Sequence, residues 1–101
     1  MWDTQKILTE IEDKARQEFL PIIGPKKGKI LRELVSKNRP KQILEIGTLV
    51  GYSTILMASE LGPDATITTI ERDPDSARIA EQNIIGSNIR PTVRVMIGDA
   101  I

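Results

Sequence analysis

The chain has 101 residues, with 14 basic and 14 acidic side chains and neither cysteine nor histidine. A chain this long supports one lean domain, without disulfides, thiolate–zinc sites or a histidine general base. No apolar run approaches the roughly 20 residues of a membrane span, and Met1-Trp2-Asp3-Thr4 lacks the basic and apolar regions of a signal peptide, so the expectation is a cytoplasmic chain with no membrane segment and no membrane partner.

Thr4 can cap a first helix whose apolar positions Ile7, Leu8, Ile11, Ala15 and Phe19 recur at helical spacing, and Pro21, Gly24 and Pro25 end it. A second amphipathic segment over about 27–37 sets Ile30, Leu31, Leu34 and Val35 on one side, until Asn38-Arg39-Pro40 stops it. The same stretch concentrates charge: Lys26, Lys27, Lys29, Arg32, Lys37, Arg39 and Lys41 stand against Glu33 alone, while the flanking sequence is acidic. Such a collar reads either as a solvated face or as a docking surface for an anionic or nucleic-acid substrate.

Gln42–Ile46 is a short strand, apolar enough to be buried on both faces as in a parallel sheet interior. A helix over about 52–61 follows and ends at Gly62-Pro63. Thr66–Ile70 forms a second strand. Asp73 then caps a helix with Pro74 in its first turn, Ala77, Ala80 and Ile84 on its buried face and Gly86 at its close. In the third strand, Thr92–Ile97, Val93, Val95 and Ile97 alternate with Arg94 and Met96. Strand–helix–strand–helix–strand predicts an α/β fold, one half of a Rossmann-like doubly wound parallel sheet, with residues 1–40 as a helical cover and 41–101 as the half-domain.

Ligands of such sheets sit at the carboxyl ends of the strands, where Glu45, Glu71 and Asp99 all fall. Three carboxylates at successive strand ends repel one another unless a ligand separates them. Glu71, 24 residues beyond Gly47, suits two ribose hydroxyls; Asp99 suits an exocyclic amine; Glu45 suits the cationic end of an amino acid. Gly47 permits a tight turn, Gly51 lets the next helix start close to a ligand, and Gly51-Tyr52-Ser53 offers N–H groups and a hydroxyl to a carboxylate. Ser53 also reads as a simple helix cap, and Tyr52 as a packing residue. Leu49 stands where a dinucleotide fingerprint needs its second glycine, and no Walker A lysine follows, so a pyrophosphate is disfavoured.

Glu45-Ile46-Gly47-Thr48, Gly51-Tyr52-Ser53, Glu71 and Gly98-Asp99-Ala100 resemble the S-adenosylmethionine site of class I methyltransferases. More narrowly, the stretch from about Gly28 to Ile101 resembles the cation-dependent O-methyltransferase family of the catechol and caffeoyl-coenzyme A enzymes. The resemblance implies that Glu45, Gly47, Thr48 and Ser53 surround the methionine part of the cofactor, that Glu71 holds the ribose, and that Arg72, Asp99 and Ala100 flank the adenine. Gly51, Tyr52 and Gly98 complete the cofactor-binding set. The family's divalent cation, magnesium, and its catalytic lysine belong to later strands without counterpart here, so no catalytic or metal residue is assigned and the chain reads as the cofactor-binding half of a longer enzyme. The implied acceptor is a small-molecule hydroxyl or a modified tRNA. The unpaired apolar edge of the first strand predicts a homodimer or other self-association. A non-catalytic nucleotide-binding or assembly module, and an NAD-dependent oxidoreductase disfavoured by the glycine spacing, are the competing readings.

Overall fold

The computed structural model describes residues 4–18 and 20–99. Its elements, in order, are α1 (Thr4–Glu18), α2 (Gly24–Asn38), β1 (Gln42–Ile46), α3 (Tyr52–Ala58), β2 (Thr66–Glu71), α4 (Pro74–Gly86) and β3 (Thr92–Ile97). The strands form a parallel sheet in the order β1-β2-β3, with Ile46, Ile70 and Met96 in one row across it. Parallel neighbours require crossovers, which α3 and α4 supply. The predicted half-sheet is therefore present.

Local chemistry explains most boundaries. Asp73 caps α4 as expected, accepting from the Ser76 N–H at 3.1 Å and the Ser76 hydroxyl at 2.8 Å, with Pro74 in the first turn. Gly24 and Pro25, expected to terminate the first helix, instead open α2, because proline's missing N–H costs nothing in a first turn. That helix ends on Arg39 in the left-handed conformation, its N–H bonded to the Val35 carbonyl at 2.7 Å. α3 stops at Ala58, short of the expected 61, and Glu60 and Leu61 turn back on the Met57 and Ala58 carbonyls. Thr4 does not serve only as a helix start: its hydroxyl donates to the Ser87 carbonyl at 2.7 Å, tying α1 to the end of α4.

The core lies on one side of the sheet. Ile7, Leu8 and Ile11 of α1 pack with Val50, Tyr52, Ile55, Leu56, Ala80 and Ile84, and Val35 of α2 packs with Met57, Ala58, Leu61, Ala65 and Ile67. Phe19, the remaining predicted α1 core residue, lies outside the described residues. The expectation that β1 is buried on both faces fails. Ile43 and Glu45 face the helices, but Leu44 and Ile46 on the other face are 66% and 60% exposed. Both crossover helices cover the same face, so composition alone overstates the burial of this strand. Of the four apolar residues expected on one side of the second helix, Val35 is buried while Ile30 and Leu34 are exposed. No helix among the described residues is long and apolar enough to cross a membrane.

Candidate functional site

β1 runs into a turn that its sequence shapes closely. Gly47 has φ 88° and donates its N–H to the Ile70 carbonyl at 2.8 Å, prolonging the β1–β2 ladder by one bond. The turn then passes through Leu49 at φ 50° and Gly51 at φ 92° before α3 begins. A side chain at Gly51 would meet the Ala80 carbonyl oxygen at 3.4 Å and the Ala80 Cα at 3.5 Å. The close approach that this glycine allows is thus between α3 and α4, rather than between α3 and a ligand. Asn83 of α4 secures the same turn by donating to the Val50 carbonyl at 2.8 Å.

Glu71, the last residue of β2, clamps the turn from the opposite side. One carboxylate oxygen accepts the Leu49 N–H at 2.8 Å and the other accepts the Asp73 N–H at 3.0 Å. A carboxylate has about four acceptor positions, so two of the four stay open to further donors. Glu71 shares a cavity of about 280 Å³ with Ile46, Gly47, Ile70, Arg72, Gly98 and Asp99, at the carboxyl ends of all three strands. Side chains added at Gly47 or Gly98 would touch nothing in the protein, so the space beside both backbones is open. An acidic acceptor beside two exposed glycine backbones fits a ribose with a flat base better than it fits a pyrophosphate, which needs a cradle of N–H donors. Here the Gly47, Leu49 and Gly51 N–H groups are already engaged within the chain.

Five predicted site residues therefore meet in one cavity: Gly47, Glu71, Arg72, Gly98 and Asp99. The others are distributed differently. Glu45 does not join Glu71 and Asp99 in a trio of carboxylates, because strand alternation turns it toward the helices. Its Oε1 accepts from the Thr69 hydroxyl at 2.7 Å and from the Thr54 hydroxyl. Thr48, expected against the ligand, is buried with its hydroxyl 2.5 Å from that of Thr69. Since Thr69 donates to Glu45, Thr48 must donate to Thr69, giving a directed chain of hydroxyls ending on the carboxylate. Burial pushes the Glu45 carboxyl above the usual range, and the Thr54 and Thr69 hydrogen bonds oppose the rise.

Tyr52 points elsewhere. Its hydroxyl donates to Glu12 of α1, and burial together with that carboxylate pushes the phenol above its ordinary value. It lines a larger cavity of about 700 Å³ between α1, α2 and α3, whose charged rim includes Glu12, Lys29, Arg32 and Glu60. Ser53 is half-buried in the first turn of α3 and does not cap it, since the cap residue is Gly51. Ala100 lies outside the described residues.

Sequence reasoning missed Thr54 and Thr69, both fully buried. The signal was available in the alternation of β2, where Ile67 and Thr69 share a face and register sets Thr69 opposite Glu45. Among the described residues, no group of three histidine, cysteine or acidic side chains is arranged to hold a metal ion.

A parallel β1-β2-β3 half-sheet, a glycine turn after β1 and carboxylates at the ends of β2 and β3 define a Rossmann-like methyltransferase fold. A family model described as O-methyltransferase matches residues 2–101, and the chain belongs to that family. It is 45% identical over 83 residues to Transmembrane O-methyltransferase of Homo sapiens, an alignment covering 81% of this chain and 28% of that protein. It is 38% identical over 97 residues to Catechol O-methyltransferase B of Danio rerio, covering 95% of this chain and 37% of the relative. Among solved structures, the O-methyltransferase from Bacillus cereus in complex with SAH superposes with a TM-score of 0.75 at 37% identity, over 89% of this chain and 43% of that one. The chain thus spans less than half the length of these relatives.

Proposed function

We propose that this chain carries the S-adenosylmethionine-binding half of an O-methyltransferase that acts on a hydroxyl acceptor. The observation that carries the reading is Glu71, whose carboxylate ties down the β1–α3 turn while keeping acceptor positions toward the strand-end cavity. In this reading Glu71 holds the ribose hydroxyls, Arg72, Gly98 and Asp99 border the base, and the open backbone at Gly47 passes the methionine end. Glu45 acts at one remove, with Thr48, Thr54 and Thr69, by fixing the end of β1. When bound, S-adenosylmethionine would supply an electrophilic methyl group. Deprotonating and aligning the acceptor oxygen is a task for magnesium and for residues other than those described here.

The acceptor class extends the same reading: a small-molecule hydroxyl, or the hydroxyl of a modified tRNA, the basic 26–41 segment favouring an anionic one. A cytoplasmic location accords with the cysteine-free composition. Residues 1–40 serve as the cover of a half-domain at 41–101. Among the described residues β1 pairs with β2 alone and exposes Leu44 and Ile46, which supports self-association, as a homodimer, through this edge. Light scattering should then show a species larger than the monomer, and a clean monomer with protected β1 amides would exclude it.

Calorimetry with S-adenosylhomocysteine tests the site. Two charge-assisted hydrogen bonds at about 1.5 kcal/mol each, the low end of the range, make Glu71→Ala weaken binding by roughly 100-fold. Affinity within twofold of the wild type would remove Glu71 from the ribose.

A further inference from the structure

The outer face of α2 has a pattern that neither the core nor the strand-end site uses. Ile30 and Leu34 are 59% and 54% exposed. At helical spacing they form one stripe, with Lys27 along one border and Lys26 and Lys37 along the other. Glu33 is the one acid of the helix. Arg32 belongs to the inner side, where it pairs with Glu60 at 3.0 Å. Among the described residues, Lys26, Lys27 and Lys37 form no ion pair. Nor do Lys26 and Lys27 stabilise α2: they occupy its first turns, where the helix dipole disfavours cations, and no acid accompanies them in the first turn.

We propose that this face docks the protein on an anionic lipid surface, Ile30 and Leu34 entering the interfacial layer while Lys26, Lys27 and Lys37 meet headgroup phosphates. Charge complementarity selects this occupant. A second copy across a two-fold axis would bring the same lysines against themselves. RNA would use the lysines but not the stripe, because α2 carries no aromatic side chain on which bases could stack. Anionic lipid uses both, and cytoplasmic leaflets carry it. The proposal stands apart from the methyl-donor reading, since α2 contributes nothing to the strand-end cavity.

Vesicle co-sedimentation of the full chain tests it, with phosphatidylcholine alone and phosphatidylcholine mixed with phosphatidylserine. Binding is expected to the mixed vesicles, to weaken with salt, and to fall about fivefold for each lysine removed in Lys26→Gln and Lys27→Gln. Ile30→Ser with Leu34→Ser should reduce it by about tenfold or more while leaving the circular dichroism unchanged, since both side chains are exposed. Ile85→Ser on α4, at a position 80% exposed, should bind like the wild type. Equal binding to neutral vesicles, an equal loss in the Ile85→Ser control, or preference for a mixed-sequence single-stranded RNA over the mixed vesicles would overturn it.

Discussion

Replacing Thr69 by valine isolates the buried hydroxyl chain behind the strand-end site. Thr69 is fully buried, so the β-branched replacement keeps the shape and strand preference and removes only the hydroxyl. That hydroxyl donates to Glu45 at 2.7 Å and lies 2.5 Å from Thr48 Oγ1. The bond to the carboxylate contributes about 1.5–3 kcal/mol and the neutral one about 0.5–1.5 kcal/mol, while the added methyl returns part of this. A net loss of about 2–3 kcal/mol follows, a large fraction of the stability of a domain this size. At about 4–8 °C per kcal/mol, Tm should fall by roughly 10–20 °C. Urea denaturation followed by circular dichroism would give the free energy directly, with an unchanged m-value showing that the folded state persists. Thr48→Val made on top of Thr69→Val should then cost little more, because its partner is already gone. A loss below about 0.5 kcal/mol for Thr69→Val would show that the hydroxyls do not hold Glu45 and would refute the argument.

Gly51→Ala forces a side chain into φ 92° and against the Ala80 carbonyl at 3.4 Å, so it should destabilise by about 1–3 kcal/mol in the same denaturation assay. Glu45→Gln should alter the pH dependence of stability. Because burial raises the Glu45 carboxyl above its unfolded value, the native state binds that proton more tightly, and the stability this lends is lost as pH rises from the ordinary glutamate range through the folded value. The stability of Glu45→Gln relative to wild type should therefore increase as pH rises from the ordinary glutamate range through the folded value, and a flat or falling difference would contradict it. Tyr52→Phe deletes the bond to the Glu12 carboxylate and should cost about 1.5–3 kcal/mol while leaving S-adenosylhomocysteine affinity unchanged by calorimetry.

Elements with local signals were legible in the sequence. Asp73-Pro74, the valine alternation of β3 and the acids at the ends of β2 and β3 each act through neighbours within a few residues, and each lies where expected. What depends on the third dimension was less legible. Glu45 looked like part of a carboxylate trio because it sits near a strand end, but which face it takes follows from register with Thr69. Leu44 and Ile46 looked buried because apolar runs belong in parallel sheets, yet α3 and α4 lie on the same side of this one. Gly24-Pro25 carries the same residues whether it ends one helix or starts another, and only packing decides. Gly51 reads as a ligand glycine until α4 comes within contact of it.

The central claim is that the methyl donor enters the small cavity at the strand ends rather than the larger one between α1, α2 and α3. Amide NMR titration with S-adenosylhomocysteine, with NAD as the comparison, tests this most directly. The account predicts saturating shifts at Gly47, Leu49, Asp73 and Gly98, the last two because Glu71 and the β3 end respond to the ribose and base, and no comparable response to NAD. Shifts centred on Gly28, Lys29 and Tyr52, or equal responses to both ligands, would contradict it.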